Sequence, residues 1–303
     1  MPIDAGPLLG PPYPIVLLHG MGGFEQLQHL PVDVEYFNGV VADLKQHGEP
    51  EVFATLAAPY DSSEQRAQAI AAQLDVILAT THRAKVNLVG HSQGGLDARI
   101  LASPQGLAYG DRIASVTTIA TPHRGTQVCD AALGLLDVLP KGDVDAFTEA
   151  LLKLLQKSVY EVQTVPNLRS QVVELSEDYM LNHFNPKYLD DPRVKYASYA
   201  GRTNLQTGLL DCDGKYPNDP LHVDLANPLF LPIAPLLAGP LNHSNDGLVT
   251  VESAKWGTFM QCVPADHLKE VGVLSVSQKD LVSKFDHLEF FRTVVSRVRG
   301  GGF

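Results

Sequence analysis

The chain has 303 residues, 45% of them hydrophobic, which is enough apolar material for one large core. A net charge of −11, from 23 basic and 34 acidic residues, argues against nucleic acid, whose phosphates need a basic face, and against electrostatic docking on anionic membranes. No apolar run free of charge and proline reaches the ~18 residues that a membrane span requires.

The opening MPIDAGPLLGPPYP has no basic start followed by an apolar stretch, so it does not read as a signal peptide as it stands. The expectation is either a cytosolic chain or the mature form of a secreted one. Pro14 to His19 is a short apolar run closed by Gly20, as in a buried strand. Helix follows from about Phe37 to Gln46, and strand from Val52 to Leu56. Ser63 to Ala79 reads as helix, with Asp61 and Ser62 as caps. A third apolar run, Val86 to Val89, ends at Gly90. Gln93 to Ala102 is helical and Ile113 to Ile119 is another strand. Strands and helices alternating at this spacing imply a mostly parallel sheet covered on both faces. The rhythm breaks from Gly125 to Tyr188, which looks helical without a strand. Val194 to Tyr199 resumes the sheet, Asn204 to Asn245 reads as irregular, and a last helix is expected from about Asp280 to Val298. The whole reads as one domain, 1–303, with a helical insertion at about 126–188.

Gly90-His91-Ser92-Gln93-Gly94 fits G-x-S-x-G between a predicted strand and a predicted helix, the setting in which this motif places a serine nucleophile on a strained turn. Small residues two before and two after let strand and helix pass closely. The N–H of Gln93, at the start of the helix, is then one candidate oxyanion donor. A second comes from the glycine-rich turn after the first strand, Gly20-Met21-Gly22-Gly23, where Met21 N–H is the candidate. The chance reading of either motif is a tight glycine turn without chemistry.

A nucleophilic serine needs a carboxylate and a histidine downstream. Asn245-Asp246-Gly247-Leu248-Val249 puts Asp246 on a short polar turn before an apolar stretch. Two histidines follow, each inside Asp-His-Leu. His267 lies in a loop and His287 within the expected last helix, and loops at sheet ends carry catalytic groups more readily than helix faces do. His267 is therefore the candidate base, with His287 the alternative; the bland reading of either is a surface histidine beside a carboxylate.

These residues together resemble the bacterial triacylglycerol lipases of the α/β-hydrolase superfamily. The similar blocks are Tyr13 to Phe24, Lys85 to Gly95 (KVNLVGHSQGG), Ser115 to Thr126 (SVTTIATPHRGT), Asn245 to Val249 and Asp266 to Gly272 (DHLKEVG). Similarity is weak at Gln127 to Glu177 and Arg202 to Ser244. The resemblance implies an α/β-hydrolase fold, an ester hydrolase acting on acylglycerols or related water-insoluble esters, and a movable helical lid. It favours His267 over His287. Many such lipases hold a structural calcium with a carboxylate two residues after the histidine and an acidic residue well before the aspartate. Here the first position is Lys269, which cannot ligate a hard cation, and Asp224 sits at the second. The expectation is no cofactor, with the Lys269 ammonium pairing with Asp224; the bland reading leaves both on the surface.

Asp143 to Ser158 places Val144, Phe147, Leu151, Leu154 and Leu155 on one helical stripe, with charged residues opposite. Such a helix suits a lid over the cleft, or equally an ordinary core-facing helix. Ala226 to Leu241 is apolar with four prolines, so it is neither helix nor central strand, and it suits either the wall of an acyl groove or a buried loop. Cys129, Cys212 and Cys262 form no disulfide framework; one pair with one cysteine left over is possible, and the odd count leaves the compartment open. The function expected is carboxylic ester hydrolysis of lipid esters through a Ser-His-Asp triad and an acyl-enzyme. The alternatives are an acyltransferase using the same acyl-enzyme and a catalytically silent binding protein on the same fold. Neither chain-length preference nor oligomeric state is legible.

Overall fold

The computed structural model describes residues 8–21, 35–138, 168–203, 212–215, 243–273, 279–280 and 283–303. The expected lid helix at Asp143 to Ser158, the apolar proline-rich run Ala226 to Leu241, Gly22, Gly23 and Asp224 lie outside them.

Six strands form one parallel sheet in the order β2-β1-β3-β4-β5-β6. They are β1 (Ile15–Leu18), β2 (Val52–Ala54), β3 (Val86–His91), β4 (Ile113–Ile119), β5 (Lys195–Gly201) and β6 (Thr258–Val263). The two-residue period of a strand sends alternate side chains to opposite faces. Val16, Leu18, Val86, Leu88 and Val116 enter one apolar core with helix α2 (Ser63–Thr81) and helix α3 (Gln93–Ala102). Ile15, Leu17, Val89, Ile119 and Val263 enter a second core with helix α1 (Val40–Gln46) and the last helix. Burial on both faces explains why the central strands are continuous apolar runs.

Ser62 caps α2 by accepting from Gln65 N–H at 3.2 Å, as its residue type predicts. Between β4 and β5 the described residues are helical: α4 (Gln127–Val138), α5 (Leu168–Glu174), then short turns Glu177–Tyr179, Met180–Phe184 and Asn185–Lys187.

Two features differ from the sequence reading, and the cysteine pairing it left open is resolved. Strand β6 was not foreseen. Its residues TFMQCV are only partly buried at the sheet edge, so they lack the long apolar run of a central strand. The last helix, α7, follows a short α6 (Val251–Ala254) and begins at His287, not Asp280. Asp286 is its cap, accepting from Leu288 and Glu289 N–H, and the residues before it make a turn around Asp280. Cys212 and Cys262 are bridged, with Cα atoms 5.7 Å apart, and Cys129 is a buried free thiol. Among the described residues no helix is long and apolar enough to cross a membrane.

Candidate active site

The elbow forms where β3 turns into α3. Ser92 has φ 54° and ψ −131°, a conformation that L residues rarely adopt, and its N–H donates to Ile119 O on β4 at 2.9 Å. The strain persists because the flanks interlock. A Cβ on Gly94 would sit 2.2 Å from the Leu18 carbonyl oxygen of β1, so only glycine lets α3 pack this close. Thr121 Oγ1 donates to Ser92 O at 2.8 Å and holds the turn from the β4 side.

Gln93 is the first residue of α3, and N–H groups in a helix's first turn have no partner within the helix. Its side chain is fully buried and held on both ends. Nε2 donates to Ser63 Oγ at 3.1 Å, and Oε1 accepts from Gln171 Nε2 of α5 at 2.5 Å.

The glycine turn after β1 lies directly against the serine. A Cβ on Gly20 would meet Ser92 Cβ at 2.6 Å and Ser92 Oγ at 3.1 Å. His19 orients the next peptide. Its Nε2 accepts from Ala57 N–H at 3.1 Å, so its proton is on Nδ1, which donates to Gly20 O at 2.9 Å. Burial and the nearby Arg66 guanidinium hold the ring neutral, lowering its pKa from 6.5 to about 4. In a trans peptide the carbonyl and the following N–H point in opposite directions, so fixing Gly20 O also fixes the aim of Met21 N–H. Met21 itself is partly buried.

Behind the turn stands a buried ion pair that sequence reasoning missed. Arg66 of α2 donates to Asp97 of α3 at 3.0 Å, to His19 O at 2.6 Å and to Ala58 O at 2.7 Å. Burial raises the Asp97 carboxyl to about 6 against the opposing pull of Arg66. A signal was present: Arg66 stands four before Ile70 on the apolar stripe of α2, and Asp97 is a carboxylate within α3, every residue of which is buried.

Asp246 and His267 meet on two loops at the same end of the sheet. Asp246 is fully buried on the turn before α6. Its Oδ1 accepts from Leu248 N–H at 2.8 Å and Val249 N–H at 2.7 Å, leaving Oδ2 for His267 Nδ1 at 2.7 Å. A carboxylate facing only donors assigns the ring proton to Nδ1 and leaves Nε2 as the basic nitrogen. The backbone doubles the link, because His267 N–H donates to Asp246 O at 3.0 Å. The His267 ring packs on that of His91, next to Ser92, with centroids 4.6 Å apart. The elbow, Asp246 and His267 are thus brought to one place. His287 is not among them: it is buried at the start of α7, with Nε2 bonded to Asn38 O at 2.8 Å.

A second buried polar chain runs under the site and was also missed. Gly20 N–H donates to Tyr36 Oη at 3.0 Å, Tyr36 Oη bonds His91 Nδ1 at 2.6 Å, and His91 Nε2 bonds Glu270 Oε2 at 3.1 Å. Among the described residues His91, His267 and Glu270 bring potential metal ligand atoms within 4.8 Å of one another, with His267 already bonded to Asp246 and His91 to Glu270. Lys269, at the position of interest for calcium, is 3.2 Å from Asp280 and 3.8 Å from Asp266.

Residues 14–204 match the family described as palmitoyl protein thioesterase. The chain is 28% identical to a triacylglycerol lipase of Vibrio cholerae, over 96% of this chain and 88% of that protein. It is 38% identical to a triacylglycerol lipase of Pseudarthrobacter phenanthrenivorans over 43% of this chain and 39% of that one. The solved structure of a metagenomic carboxyl esterase superposes with a TM-score of 0.64 at 17% identity, covering 95% of this chain and 76% of the other. The six-stranded parallel sheet with helices on both faces is accordingly an α/β-hydrolase fold. With well over half of its length matched, the chain belongs to the palmitoyl protein thioesterase family of α/β hydrolases.

Proposed function

We propose that Ser92, His267 and Asp246 are the catalytic triad through which this carboxylic ester hydrolase cleaves lipid esters. The observation that carries the reading is the His267–Asp246 bond of 2.7 Å, with the His267 ring packed on His91, the residue before the strained Ser92. Ser92 Oγ attacks the ester carbonyl while His267 Nε2 takes its proton, and Asp246 holds the ring through Nδ1–H and stabilises the imidazolium. The tetrahedral oxygen is met by the N–H groups of Gln93 and Met21, each worth about 3–4 kcal/mol in such sites. The intermediate collapses to the acyl-enzyme as His267 returns its proton to the leaving alcohol. Water then attacks by the same path in reverse, releasing the acid and Ser92. No metal enters this reading. Lys269 fills the calcium position of the resembling lipases with an ammonium, and among the described residues the carboxylates of Asp280 and Asp266 lie beside it.

The family described as palmitoyl protein thioesterase is a specific reason to include long-chain acyl thioesters, which need the same acyl-enzyme with a thiol leaving group. The test is hydrolysis of p-nitrophenyl esters of short to long chains, emulsified triglyceride and a palmitoyl thioester, by wild type and Ser92→Ala. Ser92→Ala should abolish turnover of all of them with the fold intact; residual turnover within tenfold of wild type would remove the assignment.

A further inference from the structure

The chain from Gly20 through Tyr36 and His91 to Glu270 joins three segments far apart in sequence: the turn after β1, the residue before the nucleophile, and the short helical turn Lys269–Val271 just after His267. His91 and Glu270 are fully buried and Tyr36 is nearly so. The proton arrangement is set by the donors. Gly20 N–H can only donate, so Tyr36 Oη accepts from it and its own proton is available to His91 Nδ1. Burial holds the His91 ring neutral, so its single proton lies on Nε2 and points at the Glu270 carboxylate. Every link then runs in one direction, from Gly20 N–H to Glu270.

Gly20 is the position where this chain meets the chemistry. A Cβ there would find the Tyr36 hydroxyl at 2.8 Å and Ser92 Oγ at 3.1 Å, so the glycine is held between the two. The His19–Gly20 peptide is fixed at its N–H by Tyr36, and the Gly20–Met21 peptide at its carbonyl by His19 Nδ1. Two successive peptide planes have no freedom left, and the second carries Met21 N–H. At its other end Glu270 stands one helical turn after His267. Gly201 of β5 admits it, since a Cβ there would lie within 2 Å of Glu270 Oε1 and 2.8 Å from Asp246 Cβ.

Resting on the ester hydrolase reading above, we infer that Tyr36 and Glu270 are positioning residues that hold the oxyanion turn in register with Ser92 and with the histidine loop. Neither reaches the reacting atoms; both act through Gly20 and His91. Misplacement of a catalytic group by about 1 Å can lower a rate by 10²-fold, which sets the scale expected.

Tyr36→Phe keeps the ring and removes only the hydroxyl. With active sites counted by a phosphonate ester that labels Ser92, kcat on a short p-nitrophenyl ester should fall about 10- to 100-fold while KM stays within about twofold. A trifluoromethyl ketone, whose adduct with Ser92 carries the oxyanion, should bind more weakly by the same factor. Glu270→Ala should behave alike, Glu270→Gln should keep most of the activity by still accepting from His91, and the Tyr36→Phe/Glu270→Ala pair should lose no more than the worse single variant. Wild-type kcat and ketone affinity per labelled site in Tyr36→Phe, or losses that multiply in the double variant, would overturn the inference. If Tyr36→Phe does not fold, the Glu270 variants decide: equal activity of Glu270→Gln and Glu270→Ala, high or low, overturns it. Full turnover in Ser92→Ala would instead remove the triad reading on which this inference rests.

Discussion

Ser92 and His267 stand in the same site but are fixed by different physics. The nucleophile is fixed by backbone: a positive φ, Gly94 pressed against Leu18, and the bond from Ser92 N–H to Ile119 O on β4. The base is fixed by side chains reaching across loops, with Asp246 at one nitrogen and the His91–Glu270 pair beneath its ring. Steric fixing needs particular small residues at fixed spacing along the chain. Fixing by hydrogen bonds needs only that partners meet in space, and the partners here lie up to 179 residues apart.

Exchanging the two histidines is the strongest way to break the comparison. His267→Ala should lower kcat by about 10² to 10⁴, the usual worth of a general base, with little change in melting temperature. His287→Ala should leave kcat within about twofold and lower stability by about 1–3 kcal/mol, since Asn38 O would lose its buried donor. The opposite ranking, read from kcat and chemical denaturation of both variants, would mean that Asp246 serves structure alone.

The elbow should instead fail by steric collision. Gly94→Ala places a methyl group 2.2 Å from the Leu18 carbonyl oxygen, and neither backbone can move without breaking the β1–β3 register. A loss of more than about 3 kcal/mol, with activity falling in step, is expected from denaturant unfolding. A stable, active Gly94→Ala enzyme would show that the elbow relaxes in a way these contacts do not allow.

Acid should separate the two halves further. His19, His91 and His123 are kept neutral, chiefly by burial, His19 at about 4 and the other two well below 6.5. Below pH 6.5 the unfolded chain binds protons that the folded chain does not, so their contribution is present above that pH and lost as pH falls. For His19 the difference is on the order of 3 kcal/mol. Asp97 acts in the opposite sense: its carboxyl is raised to about 6, so its contribution falls as pH rises from about 4 to 6. Burial also raises the carboxyls of Asp130, Glu174, Glu177 and Asp190, all of them less buried than the three rings; the histidines should outweigh the carboxyls, and melting temperature should drop as pH is lowered from about 7 to about 5. A flat or rising profile would mean that the buried rings charge without opening the fold.

How much of this was legible follows the same division. Strands β1, β3 and β4, the elbow and the acid turn show in sequence because each depends on neighbours within a few residues. Asp286 and Asp280 are both good helix caps, and the choice between them was made by packing: Phe290 and Phe291 enter the second core, which sets where α7 begins. Tyr36 and Glu270 gave no periodic signal, being single polar residues in short connections. Asp280, 11 positions on from Lys269, is likewise a partner that no pattern along the chain announces. Lys269 is about one-fifth exposed and also stands near the fully buried Asp266, so Lys269→Ala should cost more than the ~1 kcal/mol of a surface pair, and EDTA should leave wild-type melting unchanged. A fall of several degrees in EDTA that calcium reverses would mean that metal is bound through other ligands.

The Cys212–Cys262 bridge gives the site a covalent topology. It closes a ring of 50 positions that contains Asp246, anchored at one end to β6. While the bridge is intact the acid belongs to a tethered segment, so any local opening is followed by a short intramolecular search and not by escape of a free loop. A thiol reductant would turn the ring into a linear excursion between β5 and β6. Its first effect would fall on the encounter of Asp246 with His267, and the elbow, whose described contacts with Leu18, Ile119 and Thr121 lie outside the ring, would be left unchanged.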